Sequence, residues 1–404
     1  MTSPNKPGRA DPVRLGIIGM GNIGRHHAEY LLAGQVARCE LTAVCSSSPQ
    51  KIADYQARGL QTFSNSDAML RSGAMDAVLI ATPHYQHPAL GMAAFQNGLH
   101  VLMEKPIAAH KADAEKLVAA HRENPKLVFA AMFQMRAEPR YQKIRELLQI
   151  RALGDIVRVN WINTDWFRTE AYYASGGWRA TWAGEGGGVL LNQSLHFLDM
   201  LCWLCGVPKR VRGFCQLGRF HQIEVEDDVT AYLEWAGLSR RNGAKADATG
   251  VFVSSTGESP GTNRLEIAGT LGRLVLENNR LLLTRNAVDM VQFSQTATQG
   301  FAKPETTSEE ISFENAAAPH AALTQNFVNA ILDGEPLLAP GAEGVHSVEL
   351  SNAMDFSSLL GQTLELPMDG AAWENKLNEL IAGSKAQKPV VAATTDDVAG
   401  SFSR

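Results

Sequence analysis

Short apolar runs alternate with longer stretches of helical period over the first third of the chain. The runs have the length of buried strands, and the stretches between them repeat apolar residues at helical spacing. The apolar runs are VRLGIIG (13–19), ELTAVC (40–45), DAVLIAT (76–82), HVLMEKP (100–106) and KLVFAAMF (126–133). Strands that alternate with helices in this way indicate parallel βαβ units in an α/β domain.

The pattern changes near residue 137. One more helical stretch (138–150) is followed by successive strand-like runs with short turns, from GDIVRVNWIN (154–163) to RLLLTR (280–285). Such a succession predicts a largely antiparallel sheet. Two further helices are predicted at 322–334 and 344–361. The predicted fold is therefore an α/β domain followed by an α+β domain.

Length and composition limit the classes of protein that fit. With 404 residues, of which 45% are apolar and 20% charged, the chain has core material for two domains. A formal net charge of −5 argues against nucleic acid as the main partner. No apolar run approaches the roughly 20 residues of a membrane span. The five cysteines, and an N-terminal stretch without an apolar signal core, favour a cytoplasmic location.

The segment GMGNIG has the pattern of a dinucleotide-binding turn. Gly19, Gly21 and Gly24 have G-x-G-x-x-G spacing, directly after the first predicted strand and at the start of a helix. The first glycine permits a tight turn, the second lets the backbone approach a pyrophosphate, and the third allows the helix to pack closely. The helix N-terminus meets the negative charge. We therefore expect this loop, including Asn22 and Ile23, to bind the phosphates of a dinucleotide.

The end of the second strand leaves the type of nicotinamide cofactor open. An acidic residue usually stands there and holds the ribose 2′-hydroxyl, but this chain has AVCSSSP instead. Ser46 and Ser47 can bond either a 2′-hydroxyl or a 2′-phosphate. No arginine stands beside them, although Lys51 is close. The sequence therefore predicts NAD or NADP without a choice between the two.

An acidic and a basic residue, Glu104 and Lys105, follow an apolar run and precede Pro106. A strand-end lysine in a dinucleotide domain projects from the carboxyl edge of the sheet, where ligands bind. Its ammonium can bond an alcohol oxygen and stabilise the alkoxide as hydride leaves. Glu104 can reach a ribose hydroxyl or orient Lys105. The pair is thus a candidate catalytic centre of a dehydrogenase.

Four segments together resemble the glucose–fructose oxidoreductase / inositol dehydrogenase family, often called Gfo/Idh/MocA. They are GMGNIG (19–24), ATPHYQH (81–87), MEKPI (103–107) and GGGVLLNQSLHFLD (186–199), and the resemblance covers about residues 13–370. It implies a Rossmann domain followed by an α/β domain built on an open antiparallel sheet, whose other face commonly mediates oligomerisation. It also implies hydride transfer between a nicotinamide and a hydroxyl of a sugar, cyclitol or related compound.

The resemblance also implies roles for single residues near the cofactor. Glu104 and Lys105 would be the family's Glu-Lys-Pro pair, and His87 would lie near the nicotinamide ribose. The residues that would line the cofactor are Ala81, Thr82 and Pro83.

A second family motif is present in altered form. Family members usually carry Asp-x-x-x-His on the helix after the glycines, and this chain has Asn192 and His196. Four residues apart on a helix, the two side chains would share a face that Asp199 continues. His196, with an ordinary pKa of about 6.5, is the candidate proton-transfer group. Asn192 can orient the ring or turn its amide toward a substrate hydroxyl, and whether His196 acts alone or with Lys105 stays open.

An aromatic-rich segment, residues 163–188, precedes the second motif. With Trp161 just before it, this region holds four of the seven tryptophans of the chain. Aromatic faces beside polar groups suit a sugar, which offers apolar C–H faces and a ring of hydroxyls. A packed aromatic core is the alternative, and some residues are expected to serve each purpose. The candidate substrate-binding residues are Asp165, Trp166, Arg168, Tyr173, Trp178, Arg179, Asn192 and His196.

These features predict an NAD(P)-dependent oxidoreductase that moves hydride between nicotinamide and a ring hydroxyl of a sugar or glycoside. The hydroxyl at C3, which would give a 3-keto sugar, is the preferred position within the family's range. Inositol dehydrogenase is the alternative enzyme, and a non-catalytic dinucleotide-binding regulatory protein is the alternative of another class. No metal is expected, because CWLC (202–205) lacks a second cysteine pair and no carboxylate completes a site at His84 and His87.

The expected organisation has four parts. They are a flexible leader (1–12), a Rossmann domain (13–137), an α+β domain for substrate binding and oligomerisation (138–383) and a flexible tail (384–404). A homo-oligomer, from dimer to tetramer or larger, is expected because the family's open sheet presents a face that needs covering.

Overall fold

The computed structural model describes residues 11–241, 244–314 and 318–385. The predicted leader and tail lie almost entirely outside these residues. Two compact units are present, and the described residues of the first are 11–137 and 318–345. Those of the second are 138–314 and 346–385. The sequence placed 318–345 in the second domain, which was wrong, because its helix packs against elements of the first unit.

The strands and helices of the described residues are numbered in chain order. The strands are β1 (Val13–Ile18), β2 (Cys39–Cys45), β3 (Gln61–Phe63), β4 (Ala77–Ile80), β5 (His100–Met103), β6 (Phe129–Ala131), β7 (Ile156–Asn163), β8 (Arg210–Leu217), β9 (Glu226–Arg241), β10 (Ala244–Ser255), β11 (Asn263–Gly269), β12 (Gly272–Glu277), β13 (Arg280–Asn286), β14 (Thr306–Ile311) and β15 (Leu364–Glu365). The helices are α1 (Asn22–Leu32), α2 (Ala53–Ala57), α3 (Ser66–Leu70), α4 (His87–Gln96), α5 (Lys111–Arg122), α6 (Pro139–Gln149), α7 (Glu170–Ala174), α8 (Leu195–Cys205), α9 (Met290–Thr296), α10 (Pro319–Asp333), α11 (Gly344–Leu360) and α12 (Gly370–Gly383).

The first unit is built on a six-stranded parallel sheet with the order β3-β2-β1-β4-β5-β6. All four residues of β4 are fully buried, which explains why this strand is a continuous apolar run and does not alternate. The order reverses at β1, so the carboxyl ends of β1 and β4 border the point where such sheets bind ligands. This sheet confirms the predicted Rossmann domain.

The second unit is built on a nine-stranded sheet with the order β14-β13-β12-β11-β7-β10-β9-β8-β15. The pairing is antiparallel except between β7 and β10, which are parallel. The mostly antiparallel sheet that the sequence predicted is therefore confirmed.

The two faces of this sheet differ in composition. Along β9, Ala231 and Leu233 are buried, whereas Tyr232 between them is 40% exposed. On the same open face, Phe214 of β8 is 52% exposed. The described residues of the second unit therefore leave apolar side chains exposed on this face. None of the helices in the described residues has the length and apolar character needed to cross a membrane.

Candidate active site

The turn between β1 and α1 requires its first and third glycines. Gly19 has a φ of +101°, and a Cβ on it would lie 2.4 Å from the carbonyl oxygen of Ala81. A Cβ on Gly24 would lie 1.9 Å from the carbonyl oxygen of Gly19. Larger side chains at these positions would push α1 away from the loop and from β4. The tight turn and close helix packing that the sequence predicted are thus the observed geometry.

The same turn has the features needed to hold the phosphates of a dinucleotide. A Cβ on Gly21 would meet no atom within 4 Å, so the loop leaves open space there. Among the described residues no side chain caps α1, and the first backbone bond of the helix runs from Arg25 N–H to the Gly21 carbonyl. The amides of Asn22 and Ile23, which precede that bond, can therefore donate to a ligand. The buried Thr82 hydroxyl after β4 has no hydrogen-bond partner among the described residues. These residues fit a bound pyrophosphate and ribose.

The serines after β2 take the place of the usual acidic residue. Ser46 Oγ accepts a bond from the Ser48 backbone N–H at 3.2 Å, whereas Ser47 is exposed. No carboxylate stands in this turn as far as Gln50. The turn therefore offers hydroxyls rather than a charge to the ribose end of a dinucleotide.

Glu104 and Lys105 follow β5 at the carboxyl edge of the sheet, as predicted. Glu104 is 6% exposed and accepts two bonds, from His27 Nε2 at 2.6 Å and from the Lys105 backbone N–H at 3.1 Å. Burial by itself raises the pKa of this carboxyl, but the His27 bond and neighbouring positive charge outweigh it and hold the pKa below its ordinary value. Glu104 is therefore an anion beside the half-buried Lys105. Sequence reasoning missed His27 because its partner lies far along the chain.

The side chain of His87 is held between two backbone carbonyls of the first unit. Its ring is fully buried, and its nitrogens lie 2.7 Å from the carbonyl oxygens of Thr82 and Pro106. Burial lowers the pKa of this histidine. Because both nitrogens face backbone carbonyls, His87 presents neither of them to a cofactor. It ties the turn after β4 to the turn after β5.

In the second unit, the structure places Asn192 and His196 differently from the prediction. Helix α8 begins at Leu195, so His196 lies in its first turn, whereas Asn192 lies in the preceding turn segment. The prediction that both share one helix face was wrong. The imidazole of His196 is 4% exposed and lies beside the Trp166 indole, with ring centroids 6.3 Å apart. Two of the predicted substrate-binding residues are thus brought together.

Asn192 is paired with an acidic residue that the sequence analysis did not single out. Its amide Nδ2 donates to Glu185 Oε1 at 2.6 Å. The other carboxylate oxygen of Glu185 accepts the Ala180 backbone N–H at 2.5 Å, and Glu185 is only 2% exposed. The Asn192 side chain therefore pairs with a buried carboxylate of its own unit, seven residues before it.

A second buried carboxylate holds the glycine-rich segment before α8. Glu226 accepts backbone N–H bonds from Gly188 at 2.8 Å and from Leu190 at 3.0 Å. A Cβ on Gly188 would lie 2.0 Å from the Glu226 carbonyl oxygen, so only glycine allows this approach. Burial raises the pKa of Glu226 to about 7, and the Glu185 charge adds to the shift. These non-local bonds explain why the helix starts later than predicted.

Tyr172 is the centre of a cationic cluster in the aromatic segment. The guanidinium carbons of Arg168 and Arg179 lie 5.0 and 4.7 Å from its ring centroid. Its hydroxyl accepts bonds from Arg179 and from Gln193, each at 2.9 Å. The same two arginines lie over the half-buried Trp166 and Trp178 rings, at 5.6 and 4.9 Å. Charged donors and indole faces therefore occur together, as the sequence predicted.

Other residues of the aromatic segment belong to the packed core. Tyr173 is buried, its hydroxyl is 2.7 Å from Thr256 Oγ1, and its ring packs on His221. Trp161 and Trp182 are also buried. Asp165 accepts a bond from the amide of Asn163, two residues before it, at 3.0 Å. Tyr173 thus anchors the segment, and its hydroxyl is already bonded within the unit.

The chain matches sequence profiles over both units. Residues 13–132 match the oxidoreductase family with the NAD-binding Rossmann fold, and residues 141–275 match the GFO/IDH/MocA C-terminal domain. A crystal structure of the WlbA dehydrogenase from Bordetella pertussis, in complex with NADH and UDP-GlcNAcA, is 26% identical with a TM-score of 0.73. The alignment covers 89% of this chain and 100% of that one.

Two curated relatives are 25% and 28% identical, and one of them matches only part of the chain. The inositol 2-dehydrogenase of Rubrobacter xylanophilus is 25% identical over 372 residues, which are 89% of this chain and 96% of the relative. The rhizopine catabolism protein MocA of Rhizobium meliloti is 28% identical over 193 residues, which are 48% of this chain and 57% of the relative. For four of the curated relatives the matched region spans 57% to 68% of the relative's length.

Proposed function

Because the chain belongs to the GFO/IDH/MocA oxidoreductase family, with its NAD-binding Rossmann domain, we propose that it is an NAD-dependent dehydrogenase acting on a ring hydroxyl of a sugar or glycoside. The observation that carries this proposal is the Glu104–Lys105 turn at the carboxyl edge of the Rossmann sheet, in the unit that also holds the dinucleotide turn. A strand-end lysine at that edge has the chemistry to stabilise an alkoxide.

The reaction removes a hydride from the carbon and a proton from its hydroxyl. Bound NAD supplies the hydride acceptor. His196 is proposed to take the hydroxyl proton as the carbon loses its hydride, and the Lys105 ammonium to bond the oxygen as negative charge develops on it. The products are then a ketone, NADH and a protonated His196. We propose that the oxidised carbon is C3, so that the product is a 3-keto sugar.

The aromatic segment supports a carbohydrate as the substrate. Trp166 lies beside His196, so an indole face is available next to the proposed base. The guanidinium groups of Arg168 and Arg179 add hydrogen-bond donors of fixed geometry. These donors suit hydroxyls, and they also suit an anionic group on the sugar.

A nucleotide-activated sugar is a second candidate substrate. The two arginines around Tyr172 favour it, and so does the likeness to WlbA, which was crystallised with UDP-GlcNAcA. An inositol is the third candidate, because the relative from Rubrobacter is an inositol 2-dehydrogenase. A non-catalytic dinucleotide-binding protein is the alternative of another class, and it predicts NADH binding without turnover.

The test measures absorbance near 340 nm with NAD or NADP and panels of free sugars, methyl glycosides, inositols and UDP-sugars. Lys105→Met and His196→Gln are expected to bind NADH normally and to lose about 10²- to 10⁴-fold in kcat, as for other acid–base groups. The exposed residues of the same types supply matched controls, Lys116→Met and His346→Gln. Near-normal turnover in either test variant would remove that residue from the mechanism. NADH binding without turnover on every panel would favour the regulatory alternative.

A further inference from the structure

A chain of buried polar side chains runs from α1 and α10 to the Glu104–Lys105 turn, all within the first unit. His27 Nε2 lies 2.6 Å from Glu104 Oε1, and His27 Nδ1 lies 2.6 Å from the Tyr30 hydroxyl. That hydroxyl lies 2.8 Å from Thr324 Oγ1. His27 and Thr324 are fully buried, and Tyr30 is 6% exposed. Water therefore has little access to these hydrogen bonds.

The direction of the first bond is fixed by chemistry. An ionised carboxylate has no hydrogen to give, so Nε2 of His27 must carry the proton that Glu104 accepts. This holds whether the ring is neutral or charged. The second ring nitrogen is bonded to Tyr30, whose hydroxyl is in turn bonded to Thr324. The imidazole is thus held at both nitrogens, and it cannot rotate away from Glu104 without leaving a buried polar atom unpaired.

We propose that His27 is a positioning residue of the dehydrogenase reaction, which acts through Glu104 to keep the carboxylate ionised and in one orientation behind Lys105. The inference rests on the proposed function in so far as Lys105 is catalytic. Glu104 in turn accepts the Lys105 backbone N–H, so a fixed carboxylate fixes the backbone from which the lysine side chain starts. Tyr30 and Thr324 are the supports that hold the His27 ring.

The location of His27 explains why α1 can serve two purposes. It stands three residues after Gly24, one turn along the helix, so it shares the face that approaches the sheet. The N-terminus of α1 faces the dinucleotide turn, while the next turn reaches the end of β5. One helix thereby links the cofactor loop to the proposed catalytic lysine.

The titratable groups around Glu104 come from four elements. Burial lowers the pKa of His320 to about 3, so this ring adds no cation at neutral pH. Burial also lowers the pKa of His26 and of His87. Among the described residues, the groups whose charge interacts with Glu104 include His26, His27 and Tyr30 of α1, His87 of α4, Lys105 after β5 and His320 of α10. If His27 loses its donor, the remaining burial favours a protonated Glu104.

The test compares variants that remove or keep the donor. His27→Leu removes it, whereas His27→Gln places an amide N–H near the position of Nε2. The quantity compared is the pH ratio, which is kcat at about pH 8.5 divided by kcat at about pH 6. We expect the pH ratio of His27→Leu to exceed that of wild type at least about tenfold, because its kcat falls more at the lower pH. The pH ratio of His27→Gln should lie within about threefold of the wild-type value. A protein whose fold alone depends on the His27 ring would lose activity equally at both pH values.

Tyr30→Phe tests the same chain if His27→Leu does not fold, because it keeps the ring and removes only the hydroxyl that holds His27. Tyr30→Phe should shift the pH ratio in the same direction as His27→Leu. Tyr55 is equally buried but does not belong to this series of hydrogen-bonded side chains, so Tyr55→Phe should leave the pH ratio unchanged. The NADH dissociation constant, measured by fluorescence over the same pH range, can be compared between the variants even if no sugar substrate is found. A wild-type pH ratio in both His27→Leu and Tyr30→Phe, for turnover and for NADH binding, would overturn the proposal.

Discussion

Replacement of Asn192 by aspartate would restore the residue that the family usually has, yet we expect it to harm this protein. In the structure the Asn192 amide donates to the buried Glu185 carboxylate at 2.6 Å. Asn192→Asp exchanges this donor for a second carboxylate oxygen at the same distance. The expected result is a pair that shares one proton and a protein whose stability falls as pH rises.

The size of the effect follows from the distance. Two unit charges 2.6 Å apart repel by about 6 kcal/mol at an effective dielectric constant of about 20. One pH unit is worth about 1.4 kcal/mol, so the pair keeps its proton roughly four units above the ordinary carboxyl range. The native state then binds one more proton than the unfolded state, and the free energy of unfolding falls with rising pH. Asn192 is half-buried, so solvent screening reduces the loss between about pH 5 and pH 8 to about 2–4 kcal/mol.

The assay is urea denaturation of wild type, Asn192→Asp and Asn192→Ala at about pH 5, 6.5 and 8. Asn192→Ala removes the donor without adding charge, so it should cost about 1–3 kcal/mol at every pH. On a good sugar substrate, Asn192→Asp should show a higher KM and a lower kcat/KM near pH 8. A constant stability difference between Asn192→Asp and wild type over this range would refute the electrostatic reasoning. A faster Asn192→Asp enzyme with unchanged KM would show that the reaction needs an anion at position 192.

Three further outcomes are expected. The pKa of Glu226 is raised from 4.5 to about 7, so between these pH values the carboxyl is ionised in the unfolded state and still protonated in the native state. The free energy of unfolding should therefore fall by about 3 kcal/mol as pH rises over this range. In urea denaturation, Glu226→Gln should flatten this part of the stability–pH curve, and the exposed Glu258→Gln should not. Gly21→Ala should leave the melting temperature unchanged, because its Cβ meets no protein atom, while NADH binding measured by fluorescence weakens at least about tenfold through a clash with the pyrophosphate. The exposed face that contains Phe214 and Tyr232 is proposed to join copies of the chain, so Tyr232→Lys should reduce the mass found by light scattering, and a monomeric wild type would contradict this.

Local sequence determined most of the fold and the dinucleotide turn. Strand and helix period are read within a few residues, so the alternation before residue 137 was enough to predict the parallel sheet. The glycine spacing at 19, 21 and 24 was also sufficient, because the turn depends on backbone angles and on atoms of its own loop and the next strand. Lys105 could be placed at a sheet edge because it directly follows a predicted strand.

Only the tertiary structure decided which unit α10 belongs to. Its period predicted a helix, but period says nothing about the surface that the helix covers. Thr324 of α10 meets Tyr30 of α1, almost 300 residues earlier, and this contact groups α10 with the Rossmann sheet. A separation of 77 residues along the chain likewise concealed the link from His27 to Glu104.

The start of α8 is the clearest case in which local pattern failed. The sequence favoured a helix from Asn192, since nothing nearby opposes one. In the structure the amides of Gly188 and Leu190 are bonded by Glu226, and the Asn192 side chain is held by Glu185. A buried backbone amide must find an acceptor, and these amides found it in a strand more than 30 residues later. Such a bond leaves no trace in periodicity, so the sequence determined that a helix carries His196, and packing decided where that helix begins.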